Sequence, residues 1–214
     1  MQESPLDSVR EPGPDITPKN AWQHVWLYPN LVFQTALREF PQKNRFLFFA
    51  ISGLSVDFLL NGIALIFLKY SLFSLIIAVF GSMLLAYIFS EFLAWLLAKV
   101  GLALGGKASY NNLRTVLTWS YVPAVAAAIL SVGDLVILSK NLMLSDLPID
   151  SSIVSILLPI NSIIQLLLGA WTIVLIIIGV KNVQHFGYPK AILSLIFSVL
   201  LIVLFLFILA LILS

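Results

Sequence analysis

The sequence predicts an all-α integral membrane protein: five transmembrane helices preceded by amphipathic interfacial helices. Two observations carry this. Hydrophobic residues fill 60% of the 214 positions and charged residues only 10%, with a mean hydropathy of +1.04. A soluble domain holds roughly 45 to 50% apolar residues. The apolar residues are also gathered into long runs, the first of which begins only near Phe46. A cleavable signal needs its apolar core close to the N-terminus, so this first run is expected to remain as an anchor.

Taken in order, residues 1–19 read as a disordered tail. Pro5, Pro12, Pro14 and Pro18 alternate there with Glu3, Asp7, Glu11 and Asp15, a composition that buries too little apolar surface to offset ordering entropy. Residues 20–45 read as an interfacial amphipathic segment. Trp22 and Trp26 lie four apart, Pro29 breaks the run, and Phe33, Ala36, Leu37 and Phe40 repeat at helical spacing around Arg38 and Glu39. That apolar face suits either lipid contact or packing on the ends of the spans.

The transmembrane domain, 46–214, is expected to hold spans at about 46–68, 72–98, 116–138, 153–180 and 189–213. Each is long enough to cross a hydrocarbon core of roughly 30 Å at about 1.5 Å per residue. Backbone groups in lipid must be satisfied internally, so these runs are helices. The second and fourth exceed the roughly 20 residues a span needs, which implies tilt or a protruding end. Pro123 and Pro159, inside the third and fourth runs, each free a carbonyl and bend the helix. Trp95, Trp119 and Trp171 suit interface positions or large core fillers.

Charge sets the orientation. Of the 12 Lys and Arg, one side of the expected spans takes Arg10, Lys19, Arg38, Lys43, Arg45, Lys99, Lys107, Arg114, Lys181 and Lys190, and the other only Lys69 and Lys140. The positive-inside rule then puts the N-terminus in the cytoplasm and, after five spans, the C-terminus outside. A net charge of +2 gives no basic field for nucleic acid, and the absence of cysteine removes disulfides, thiolate metal sites and cysteine nucleophiles. His24 and His185 have no His or Cys partner at helical spacing. No catalytic set, metal site or cofactor fingerprint is expected.

One polar stretch invites a sharper reading. "GLALGGKA", residues 101–108, approaches the phosphate-loop pattern, in which a strand delivers a glycine-rich turn and the hydroxyl after the lysine binds magnesium. Ala108 stands where that hydroxyl belongs, and a membrane helix stands where the strand belongs. A helix junction accounts for more of the residues. Gly105 and Gly106 can end the second span through positive φ, Lys107 offers a cation to that helix's negative end, and Ser109 can cap the next helix.

A family resemblance rests on three stretches. "LGGKASYNNLRTVLTWSYVP" at 104–123, with its Gly-Gly-Lys turn, Tyr110, Tyr121 and Pro123, resembles a segment of the Yip family, the Ypt-interacting-protein-like five-span membrane proteins. "VWLYPNLVFQTALREFPQKNRFLFFAISGL" at 25–54 and "AWTIVLIIIGVKNVQHFGYPKAIL" at 170–193 are similar to that family's approach to its first span and its connection between the fourth and fifth. The resemblance covers about 22–213. It implies a cytoplasmic N-terminus, five spans and a role in membrane traffic or organisation, in endoplasmic reticulum or Golgi membranes for eukaryotic members. The region ahead of the first span, about 45 residues, is shorter than in the trafficking members. Their contact with Rab-type GTPases is therefore not carried over, and a bacterial relative in the inner (plasma) membrane is favoured.

Polar groups at membrane depth raise a second functional reading. Asp57 falls at the middle of the first span with Asn61 one turn on. Glu91 lies in the second with Tyr87 one turn before it, and Asn161 and Gln165 form a further pair just after Pro159. A charge at that depth costs about 2.5 to 3.5 kcal/mol, so each acid needs a partner or a neutral form. Asp57, Asn61, Glu91, Asn161 and Gln165 either line a cation or proton path or act as interhelical glue. Asp134, nearer the outer boundary, is expected to be solvated.

Two functions stay open. The first is a non-enzymatic membrane organiser or adaptor, whose cytoplasmic face includes Trp22, Trp26, Gly105, Gly106, Lys107, Tyr110 and Lys181. Its partners would be the lipid bilayer, a membrane or cytoplasmic protein, or a second copy of the chain. The second is a small ion or solute channel or transporter working through Asp57 and Glu91.

Overall fold

Among the described residues, the long apolar runs and the amphipathic repeat at 29–39 form helices. The computed structural model describes residues 14–39, 51, 72–131 and 151–213. Its helices are α1 (Ala21–His24), α2 (Pro29–Glu39), α3 (Leu72–Ala103), α4 (Tyr110–Ser120), α5 (Val122–Ser131), α6 (Ser151–Gln184) and α7 (Tyr188–Leu213). No strand occurs among the described residues. Asp57, Asn61, Asp134 and nearly all of the first expected span lie outside them.

The protein is an integral membrane protein. Phe80–Ala103, Pro159–Gln184 and Tyr188–Ile212 are each long and apolar enough to cross a bilayer, and α4 with α5 makes a fourth candidate bent by 41°. The whole of α3, 32 residues, and of α6, 34 residues, runs to roughly 50 Å at about 1.5 Å per residue. Both therefore tilt or project beyond a hydrocarbon core of roughly 30 Å.

The bend between α4 and α5 has a local cause. Tyr121 caps α4 with its N–H on the Leu117 carbonyl, and Pro123 follows in the first turn of α5. The N–H that proline lacks would be unpaired there in any case. Pro159, by contrast, is carried inside the continuous helix α6.

Burial is concentrated at one end of the bundle. Leu93, Ala94 and Leu97 of α3 meet Leu113, Val116 and Leu117 of α4 and Leu175, Val180 and Val183 of α6. The amphipathic helix α2 closes this end with Val32, Phe33 and Ala36, all fully buried. Of the two partners open to that face, the bundle is the one it meets. Gly179 allows the approach, because a Cβ there would collide with Val116 and touch Phe33. Burying Phe33 contributes roughly 1.5 to 3 kcal/mol if its surface would otherwise meet water.

Away from this end the apolar side chains face outward. Leu204, Phe207 and Ile212 on α7, like Ile163 and Leu166 on α6, are exposed. In a bilayer such a face costs nothing, since acyl chains are as apolar as leucine.

Residues 15–20, at the end of the expected disordered tail, are instead tied in place ahead of α1. Thr17 donates its N–H to Asn20 Oδ1, Asn20 Nδ2 donates to the Asp15 carbonyl, and Ile16 is buried in the core.

Candidate functional site

Among the described residues, the intramembrane polar groups Glu91, Asn161 and Gln165 fall into two separate ties. Between α3 and α4, Tyr110 donates its hydroxyl to Glu91 Oε2 at 2.5 Å, and Arg114 Nη2 donates to Glu91 Oε1 at 2.5 Å. The guanidinium also lies 5.1 Å from the centre of the Tyr110 ring. Glu91 is 15% exposed and Arg114 22%, so each charge has its neutraliser at a depth where an isolated one would be costly. Arg114, read by sidedness as a loop cation, is thus a helix residue paired with the carboxylate. Its Nε is buried without a hydrogen-bond partner.

The second tie joins α5 to α6. Gln165 Oε1 accepts from the Ser131 hydroxyl at 3.2 Å, and Asn161 Nδ2 donates to the Leu130 carbonyl at 3.3 Å. Both are bonds between helices, the geometry of interhelical glue.

At the buried end of the bundle the glycine stretch shows its purpose. Gly105 has φ +85°, and Gly106 N–H reaches back to the Gly101 carbonyl at 2.8 Å. The two glycines five apart are therefore a helix C-terminal motif. Ser109 caps α4, its Oγ accepting from Asn112 N–H at 3.3 Å. The connection between α6 and α7 repeats the device: His185 takes φ +57°, and Phe186 N–H bonds the Lys181 carbonyl at 3.0 Å.

Gln184 fastens these two loops together. It is 1% exposed, donates from Nε2 to the Leu97 carbonyl at 3.1 Å and accepts at Oε1 from Ala108 N–H at 3.0 Å. A Cβ on Gly101 or Gly106 would overlap its carboxamide. Lys190 Nζ adds a bond to the Leu104 carbonyl at 3.3 Å, so the contact at the carboxyl end of α3 comes from Lys190. Lys107 is exposed.

Beside this clasp lies an open cleft of about 610 Å³, walled by Gln34, Leu37 and Arg38 of α2, Asn112 of α4, and Lys181, Asn182, Val183, His185 and Phe186 at the end of α6. Asn182 Nδ2 donates to Asn30 Oδ1 at 2.7 Å and ties the wall to α2. Lys181 Nζ sits 4.3 Å from the centre of the Tyr188 ring, a cation–π contact that steadies its position.

The expected interaction face is thus divided. Lys181 lines the cleft, Tyr110 is engaged with Glu91, Trp26 packs half-buried on the core, and Trp22 is half exposed. Sequence reading put the 20–41 segment and the 181–190 loop on this face but did not single out Arg38, Asn182, Gln184 or His185 within them. The available signal was the polar run Lys181, Asn182, Gln184 and His185 at the end of an apolar helix, which also suits a solvated helix end.

No curated protein matches the chain, and no solved structure does. The family model described as "Yip1 domain" matches residues 24–211, a range that takes in the glycine clasp, the Glu91 tie and every wall of the cleft. On that match the chain belongs to the Yip1 domain family.

Proposed function

We propose that this protein is a non-enzymatic membrane organiser or adaptor with five spans, its N-terminus in the cytoplasm and its C-terminus outside, engaging partners through the end of the bundle that holds the two loops. One observation carries the reading: Glu91, Asn161 and Gln165 are engaged in bonds between helices, while the exposed polar groups Gln34, Arg38, Lys107 and Asn112 gather at the looped end. Family membership supports a membrane-associated role, and the distribution of Lys and Arg supports the orientation.

The test combines two measurements. Proteoliposomes holding the wild-type chain or Glu91→Gln are expected to stay tight to protons and alkali cations under an imposed gradient. A photo-crosslinking side chain placed at Lys107 in native membranes is expected to give a discrete protein adduct, and one at the lipid-facing Ile208 is not. A protein-dependent flux abolished by Glu91→Gln, with no adduct at position 107, would overturn the adaptor reading in favour of transport.

A further inference from the structure

We propose that the cleft between α2 and the end of α6 binds a phosphate group, carried by an anionic lipid headgroup or by a soluble phosphate ester. The inference rests on the adaptor reading for its setting and names a ligand class for that face.

Charge is the first argument. Arg38, Lys181 and His185 stand around the cleft with the carboxamides of Gln34, Asn112 and Asn182, and among the described residues no Asp or Glu lines it. Basic groups alternating with neutral N–H donors match an anion with several acceptor oxygens.

Backbone conformation is the second. The position after α6 needs φ +57° and is filled by His185, where glycine would adopt the same angle without a Cβ penalty. The imidazole supplied at this cost lines the cleft. A helix end that only had to stop would favour glycine, as it does at Gly105.

Location is the third. The α2 wall continues from a segment that exposes Trp22, Leu27 and Tyr28, the amphipathic aromatic chemistry of a membrane–water boundary. A membrane surface meeting this segment would bring lipid headgroups within reach of the cleft.

The experiment uses the purified full chain in neutral detergent, titrated calorimetrically with dihexanoyl phosphatidic acid, dihexanoyl phosphatidylcholine, inorganic phosphate and a glutamate hexapeptide. Phosphatidic acid is expected to bind, and Arg38→Gln or Lys181→Gln to weaken it about tenfold each, the size of one charge-assisted hydrogen bond. His185→Gly is expected to weaken binding while raising the unfolding temperature, a pair of effects that damage to the fold would not produce. Competition by inorganic phosphate assigns the site to soluble phosphates as well, and its absence assigns it to lipid. No binding of either phosphate, binding indifferent to Arg38→Gln and Lys181→Gln, or binding of the hexapeptide alone overturns the proposal. Since no protein partner is present, such a failure leaves the adaptor reading standing.

Discussion

Glycine has opposite meanings at two positions of one helix. At Gly81 an added Cβ meets no described residue within 4 Å, whereas at Gly101 it would overlap the Gln184 carboxamide. Gly81→Ala should therefore stabilise α3 by about 0.5 to 1 kcal/mol through helix propensity alone. Gly101→Ala should destabilise by about 1 to 3 kcal/mol, because overpacking exceeds that gain. Gln184→Leu should cost about 2 kcal/mol, since it strands the Ala108 N–H and removes the bond to the Leu97 carbonyl. Thermal unfolding of the three variants in one detergent checks the signs; equal behaviour of the two glycine variants would refute the clasp.

At the scale of elements, α2 is held by the apolar side chains it tucks beneath the polar cleft wall. Phe33→Ala is expected to cost about 3 to 5 kcal/mol, as deletion of a fully buried aromatic does, and to loosen α2 before the spans. Limited trypsin digestion should then cut at Arg38 well before Lys181; unchanged protection of Arg38 would mean that α2 is held by other contacts. The helical character of α2, the cap at Ser109 and the turn at Gly105 were legible because each is encoded within four or five consecutive residues. The ties between elements were not. Glu91 and Arg114 lie 23 positions apart, Gln184 and Leu97 lie 87 apart, and no local period records which faces meet. Arg114 was also concealed by its sign: counting cations by side places it in a loop, while its partner draws it into a helix.

For the molecule as a whole, hydropathy located apolar helices readily, since a bilayer leaves the backbone few alternatives. It could not separate side chains that face lipid from those that face neighbours, because both are apolar. Sidedness is tested directly, as the chain holds no cysteine. In oriented membrane vesicles, Lys107→Cys should react with an impermeant maleimide only from the cytoplasmic side, and Ser214→Cys only from the opposite side. Labelling of both from one side would exclude an odd number of crossings.

The carboxamide of Gln184 leaves the loops at 104–109 and 185–187 little freedom to move separately. A molecule that displaces the glycine turn on engaging Lys107 must also displace His185, and an occupant of the cleft must work in the other direction. Such linkage is reciprocal: whatever factor one ligand imposes on the affinity of the other is returned in full. Through one buried side chain, recognition at the membrane surface and recognition of a protein would become a single thermodynamic event.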